Sequence, residues 1–77
     1  MVNNILLDSK VDTHVRISGF EGGNDLTRKL HQYGLYIGDR ARIVRLAPFH
    51  GPLLIEVNGR EIAIGRGIAA KIKVEAA

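Results

Sequence analysis

Asn58-Gly59 is the feature that most constrains this chain. Both residues tolerate positive φ, which a two-residue type I′ hairpin turn requires, and the flanking segments Leu53 to Val57 and Arg60 to Ile64 alternate as strands do. A two-residue loop leaves one register: Val57 pairs with Arg60, so Ile55 faces Ile62 and Leu53 faces Ile64 on one side. That apolar side must be the core. The same register sets Glu56 against Glu61 on the outer face, where like charges repel and a basic neighbour is needed. Arg40 and Arg42, on the opposite face of their strand from Ala41 and Ile43, are the candidates to neutralise them if that strand lies beside Leu53 to Val57.

The rest of the pattern is consistent with a small β protein. From His14 to Phe20, Val15 and Ile17 alternate with Arg16 and Ser18, the period of a half-buried strand. Gly19 to Gly23 ends it. Asn24 is placed to cap a helix, with Asp25 favourable at its positive end. Leu26, Leu30 and Tyr33 then form one apolar stripe, leaving Arg28, Lys29 and Gln32 wet, and Gly34 closes a helix predicted over 25–33. A strand from Arg40 to Leu46, a loop from Ala47 to Pro52, the hairpin, a helical turn from Arg66 to Ala70 and a strand carrying Ile72 and Val74 follow. Residues 1–13, with the short apolar patch Ile5-Leu6-Leu7, read as an N-terminal arm. The expected architecture is an all-β, SH3-like barrel of about five strands with one short α-helix inserted after the first. An open α+β sheet with the helix on one face has the same periodicity.

With 77 residues and no cysteine, residues 1–77 read as one domain without a disulfide framework or thiolate metal cage, as suits a reducing compartment. No apolar run approaches the roughly 20 residues of a membrane span, and the expected location is cytoplasmic. The formal charge of +3 is dispersed, and only Phe20, Tyr33, Tyr36 and Phe49 offer aromatic surface, too little for a nucleic-acid groove.

Chemistry finds no foothold in the pattern. His14, His31 and His50 lack the spacing of a metal motif, so each reads as a structural or solvent-facing residue. Ser9 and Ser18 have no nucleophile-elbow context, and Gly19-Phe20-Glu21-Gly22-Gly23 lacks the Lys-Ser/Thr of a phosphate loop. The reading is therefore non-enzymatic, with no cofactor. Protein binding remains: Tyr36 should point away from Leu35 and Ile37, while Phe49 and His50 lie at a loop tip, with Arg45 and Arg28 available as a polar rim. For Phe49 the alternative is to fold back and plug an open barrel end.

The run Leu30-His31-Gln32-Tyr33-Gly34-Leu35-Tyr36-Ile37-Gly38-Asp39, continuing into Ala41 and Ile43, resembles the FeoA family. Ala47-Pro48, Gly51-Pro52, Val57-Asn58-Gly59, Ile62-Ala63-Ile64-Gly65-Arg66, then Ala69, Ile72 and Val74, continue the likeness from about Val11 to Val74. Many relatives carry Pro-Gly where this chain has Asp12-Thr13, and Pro where it has Ile37. The resemblance implies an SH3-like accessory protein of bacterial ferrous-iron uptake and iron homeostasis, binding the cytoplasmic GTPase part of the FeoB transporter. Transition-metal binding comes by family analogy only, with no metal site to carry over. The alternative it implies is a regulatory module akin to the C-terminal domain of DtxR-type metal-dependent repressors, which would need a DNA-binding helix-turn-helix that these residues do not contain. Self-association through a strand edge or the N-terminal arm is left open.

Overall fold

The structure, a computed structural model, describes residues 4–77. Its elements in chain order are β1 (Asn4–Ile5), a 3-10 turn (Leu6–Asp8), β2 (His14–Phe20), α1 (Gly23–Gln32), β3 (Arg40–Leu46), β4 (Leu53–Val57), β5 (Arg60–Ile64), α2 (Arg66–Ala69) and β6 (Ile72–Ala76). The strands form one antiparallel sheet in the order β1-β6-β2-β3-β4-β5. It is a small all-β, SH3-like fold with one full helix, inserted after the first long strand. The ladder is not closed into a ring: β1 and β5 are its two edges.

The hairpin has the register that its turn dictates, with Val57 opposite Arg60, Ile55 opposite Ile62 and Leu53 opposite Ile64. Asn58 and Gly59 take φ of 53° and 80°, so the turn is built from residues that adopt that region at little cost. Ile55, Ile64 and Leu53 are buried with Ile17, Ile43, Leu30, Leu35 and Ile72 in a single cluster. Each such aliphatic side chain contributes about 1.5–3 kcal/mol by leaving water. Among the described residues no polar or charged residue is buried, so the core is held by packing alone.

On the outer face Glu56 and Glu61 are opposite one another, and Arg42, opposite Glu56 on the neighbouring strand, places its Nε 3.4 Å from the Glu56 carboxylate. A second nitrogen of Arg42 lies 3.3 Å from Asp12. Arg40 does not share this task. It lies opposite Arg16, two residues nearer the hairpin turn, where β4 has ended.

Three local expectations are corrected. The helix starts earlier than its periodicity implied: Gly22 is its N-cap, no side chain caps it, and Asn24 falls inside the first turn. Glycine suits that N-cap because Leu26 lies over it so closely that a Cβ there would be 2.9 Å from the Leu26 Cβ. Secondly, the stretch read as an arm is built into the fold. Asn4 pairs with Val74, Ile5 pairs with Lys73, and Leu6 is fully buried, while residues 1–3 lie outside the described residues. Thirdly, β3 is bulged between Ile43 and Arg45. Strict alternation would turn Arg45 inward with Ile43. The extra residue instead sets it opposite the outward-facing Leu54 and leaves it exposed.

Candidate partner-binding surface

The β3–β4 connection is a second tight turn. Ala47 N–H donates to the Pro52 carbonyl (3.0 Å) and Gly51 N–H to the Pro48 carbonyl (3.1 Å), so Phe49 and His50 become its central pair. They take φ of 58° and 60°, a region that costs residues bearing a Cβ about 1–2 kcal/mol each. Gly51 is required for closeness: a Cβ would lie 2.8 Å from that of Ala47 and 3.0 Å from the Pro48 carbonyl oxygen. Arg66, at the start of α2, donates its Nε–H to the Gly51 carbonyl at 3.1 Å, which ties the loop to the next layer. Phe49 emerges from this scaffold 97% exposed, so it does not plug the barrel. Leu46 beside it is 41% exposed, and Arg45 and His50 are exposed too.

The opposite end of β3 carries a different set. Gly34, at φ 86°, closes α1: its N–H reaches the His31 carbonyl and that of Leu35 reaches the Leu30 carbonyl, satisfying two otherwise free acceptors. This turn lifts Tyr36 against His31, with stacked rings 4.5 Å apart, while Phe20 meets His31 edge-on at 6.5 Å. Tyr36 N–H donates to Asp39 Oδ2 (2.9 Å), and Gly38 N–H to the Ile17 carbonyl (2.8 Å), fixing the loop on β2. Tyr36 is 48% exposed, and Ile37 and Tyr33 nearby in the chain are exposed as well. Arg28 lies on the solvent face of α1, 3.8 Å from Asp25.

The five residues expected to form a contact thus divide in two. Phe49, His50 and Arg45 gather at the β3–β4 turn, whereas Tyr36 precedes β3 and Arg28 is on the helix. Six residue steps of β3 at about 3.3 Å each separate the two loops by about 20 Å. Sequence reasoning missed Leu46, Ile37 and the Phe20–His31–Tyr36 cluster. Only the last had a signal, since a helix closed at Gly34 brings the chain back over the residues one turn earlier. A cleft of about 260 Å³ between β1, β2 and β6 is lined by residues including Asp8, His14 and Glu75, and by none of the expected contact residues. The three histidines stand on β2, α1 and the β3–β4 turn, and the described residues contain no group of three or more metal-ligating side chains. Among the described residues no helix is long and apolar enough to cross a membrane.

Comparison with known proteins gives this geometry a context. Residues 6–76 match the model of the FeoA domain. An Fe(2+) transport protein A homologue of Methanocaldococcus jannaschii is 35% identical over 67 residues, covering 87% of this chain and 79% of its own. The crystal structure of an iron uptake regulatory protein, FeoA, superposes with a TM-score of 0.85 at 25% identity, over 97% of each chain. A manganese-dependent transcriptional repressor has the same fold over 42% of its length, with a TM-score of 0.86 at 14% identity and 97% of this chain covered.

Proposed function

Because the chain belongs to the FeoA family, that of ferrous-iron transport, we propose that it is a non-catalytic cytoplasmic accessory protein that binds the cytoplasmic GTPase part of a FeoB-like transporter. The observation that carries this reading is Phe49: a large apolar side chain almost wholly in water, presented by a turn that is strained at two consecutive residues and braced from three sides. Strain of that kind persists only where surrounding contacts over-determine it, and it concentrates at binding sites. An aromatic anchor with an apolar neighbour and a polar rim is the composition of an interface hot spot. Phe49 is the anchor, Leu46 extends it, and Arg45 and His50 form the rim.

Such a protein acts by changing the conformational balance of its partner, so it needs no reactive group. The test is binding of the purified chain to detergent-solubilised FeoB-like transporter. Phe49→Ala should weaken capture by about 30-fold or more, the effect of losing a hot-spot aromatic, with an unchanged melting temperature. Tyr36→Ala, about 20 Å away by strand length, should leave most of the affinity. Undiminished capture by the Phe49 variant would remove this contact from consideration.

A second reading, a regulatory module like that of metal-dependent repressors, is favoured by the fold shared with the manganese-dependent repressor. It predicts capture by a DNA-binding protein, with the transporter indifferent to the chain.

A further inference from the structure

The edge of β5 presents backbone groups that the described residues do not use. In a two-residue hairpin the pair flanking the turn exchanges both of its hydrogen bonds, and bonded and non-bonded pairs then alternate. From the observed register, Arg60, Ile62 and Ile64 direct N–H and C=O toward β4, so those of Glu61 and Ala63 face away from the sheet. No other backbone or side-chain group among the described residues bonds them, and both residues are exposed. Natural edges are commonly blunted by Pro, a bulge or charged side chains, Lys above all. β5 has no Pro, Lys or bulge, its charged residues are Arg60 and Glu61 of opposite sign, and its ladder with β4 runs without a shift.

We propose that a second copy of this chain pairs on this edge, β5 against β5, antiparallel about a two-fold axis at Ile62. The available groups set the register. Glu61 exchanges bonds with Ala63 of the second copy and Ala63 with its Glu61, giving a closed, self-complementary contact of four hydrogen bonds. Centring on Glu61 would set like charges directly opposite, and centring on Ala63 would carry Glu61 past the strand's end to Gly65.

Charge favours the same register. Glu61 makes no ion pair among the described residues and faces Glu56 within its own chain. In the paired sheet it stands over the small Ala63 of the second copy. The cross-strand row beyond runs through Leu54 to Arg45, which the bulge turns outward and which likewise has no ion pair. Three strand spacings of about 4.8 Å separate these backbones, and the two long side chains leaning inward meet within a Debye length of roughly 8–10 Å. This pairing does not rest on the transporter reading.

Sedimentation equilibrium of the purified chain, from micromolar to millimolar concentration, is the test. Dimer should grow with concentration. Ala63→Pro removes the outward N–H without touching a β4 bond, and Pro is tolerated at such edge positions, so the variant should fold and associate at least about tenfold more weakly. Register is read separately. Glu61→Cys mixed with Ala63→Cys should form an intermolecular disulfide on oxidation, because directly bonded pairs sit about 5.5 Å apart at Cα, within disulfide reach. Neither variant alone should cross-link. A chain that stays monomeric throughout, association indifferent to Ala63→Pro, or equal cross-linking by the single variants would each overturn the proposal, the first leaving the edge to a strand of another protein or to water.

Discussion

Two turns of this molecule have the same backbone sign and opposite chemistry. The β4–β5 turn places Asn58 and Gly59 at φ of 53° and 80°, and the β3–β4 turn places Phe49 and His50 at 58° and 60°. Asn and Gly reach that region at little cost, and their turn secures the register of the core. Phe and His gain nothing there for folding. Their turn is held by Ala47, Gly51 and Arg66, while the side chain it displays is left in water. One turn spends its sequence on stability, and the other gives up stability to fix the direction of an aromatic ring.

Removing the favourable chemistry should be the larger effect. Asn58→Ala removes a side chain that tolerates the left-handed region and Gly59→Ala adds a Cβ there, so the pair should cost about 2–3 kcal/mol. For a domain of this size that lowers the melting temperature by about 10–20 °C. Calorimetry checks it, and a shift under about 3 °C would mean that packing of Ile55 on Ile62 fixes the register without the turn.

The converse exchange is the sharper test. Writing Asn-Gly into the other turn, as Phe49→Asn with His50→Gly, relieves two strained residues and is partly offset by the freedom Gly adds to the unfolded chain. A gain of about 1–2 kcal/mol is expected, or roughly 5–10 °C in melting temperature, together with loss of transporter capture. A less stable variant would show that Phe49 contributes to folding, and the contrast between the turns would fail.

Legibility in the sequence followed the same division. The β4–β5 hairpin was readable to the residue because a two-residue turn and a side-chain period of two leave no freedom. Closure of α1 at Gly34 was readable for a similar reason: a left-handed residue is needed just past the C-cap, here Tyr33. What escaped depends on contacts between distant residues or on backbone insertion. Asn4–Ile5 becomes a strand only because β6, at the other end of the chain, lies beside it. The bulge at Arg45 leaves no mark in the residue pattern, yet it decides which way a cation points. Gly22, not Asn24, is the helix cap, at a position where Leu26 leaves no room for a Cβ. Phe49 was equally consistent with a plug and with an exposed anchor, since no local pattern states where the sheet beneath it ends.

The smallest effects separate the two turns by their cations. Arg42 lies beside Glu56 and Asp12, on the face where the β4–β5 hairpin sets Glu56 against Glu61. Arg42→Glu removes both ion pairs and adds a fourth carboxylate to Asp12, Glu56 and Glu61. Exposed pairs are worth about 0–1 kcal/mol, and this one is only partly exposed, so a loss of about 1–2 kcal/mol is expected, reduced by added salt. Arg28→Glu breaks only a surface pair to Asp25 and should cost about 0.5 kcal/mol or less. Arg45 has no ion pair among the described residues, so Arg45→Glu should scarcely move the melting temperature while lowering capture of the transporter, chiefly through a slower, salt-sensitive association rate. Equal melting temperatures for the Arg42 and Arg28 variants would show that the hairpin tolerates its opposed glutamates unaided. An Arg45 variant that binds as before would narrow the display surface to the aromatic ring and Leu46.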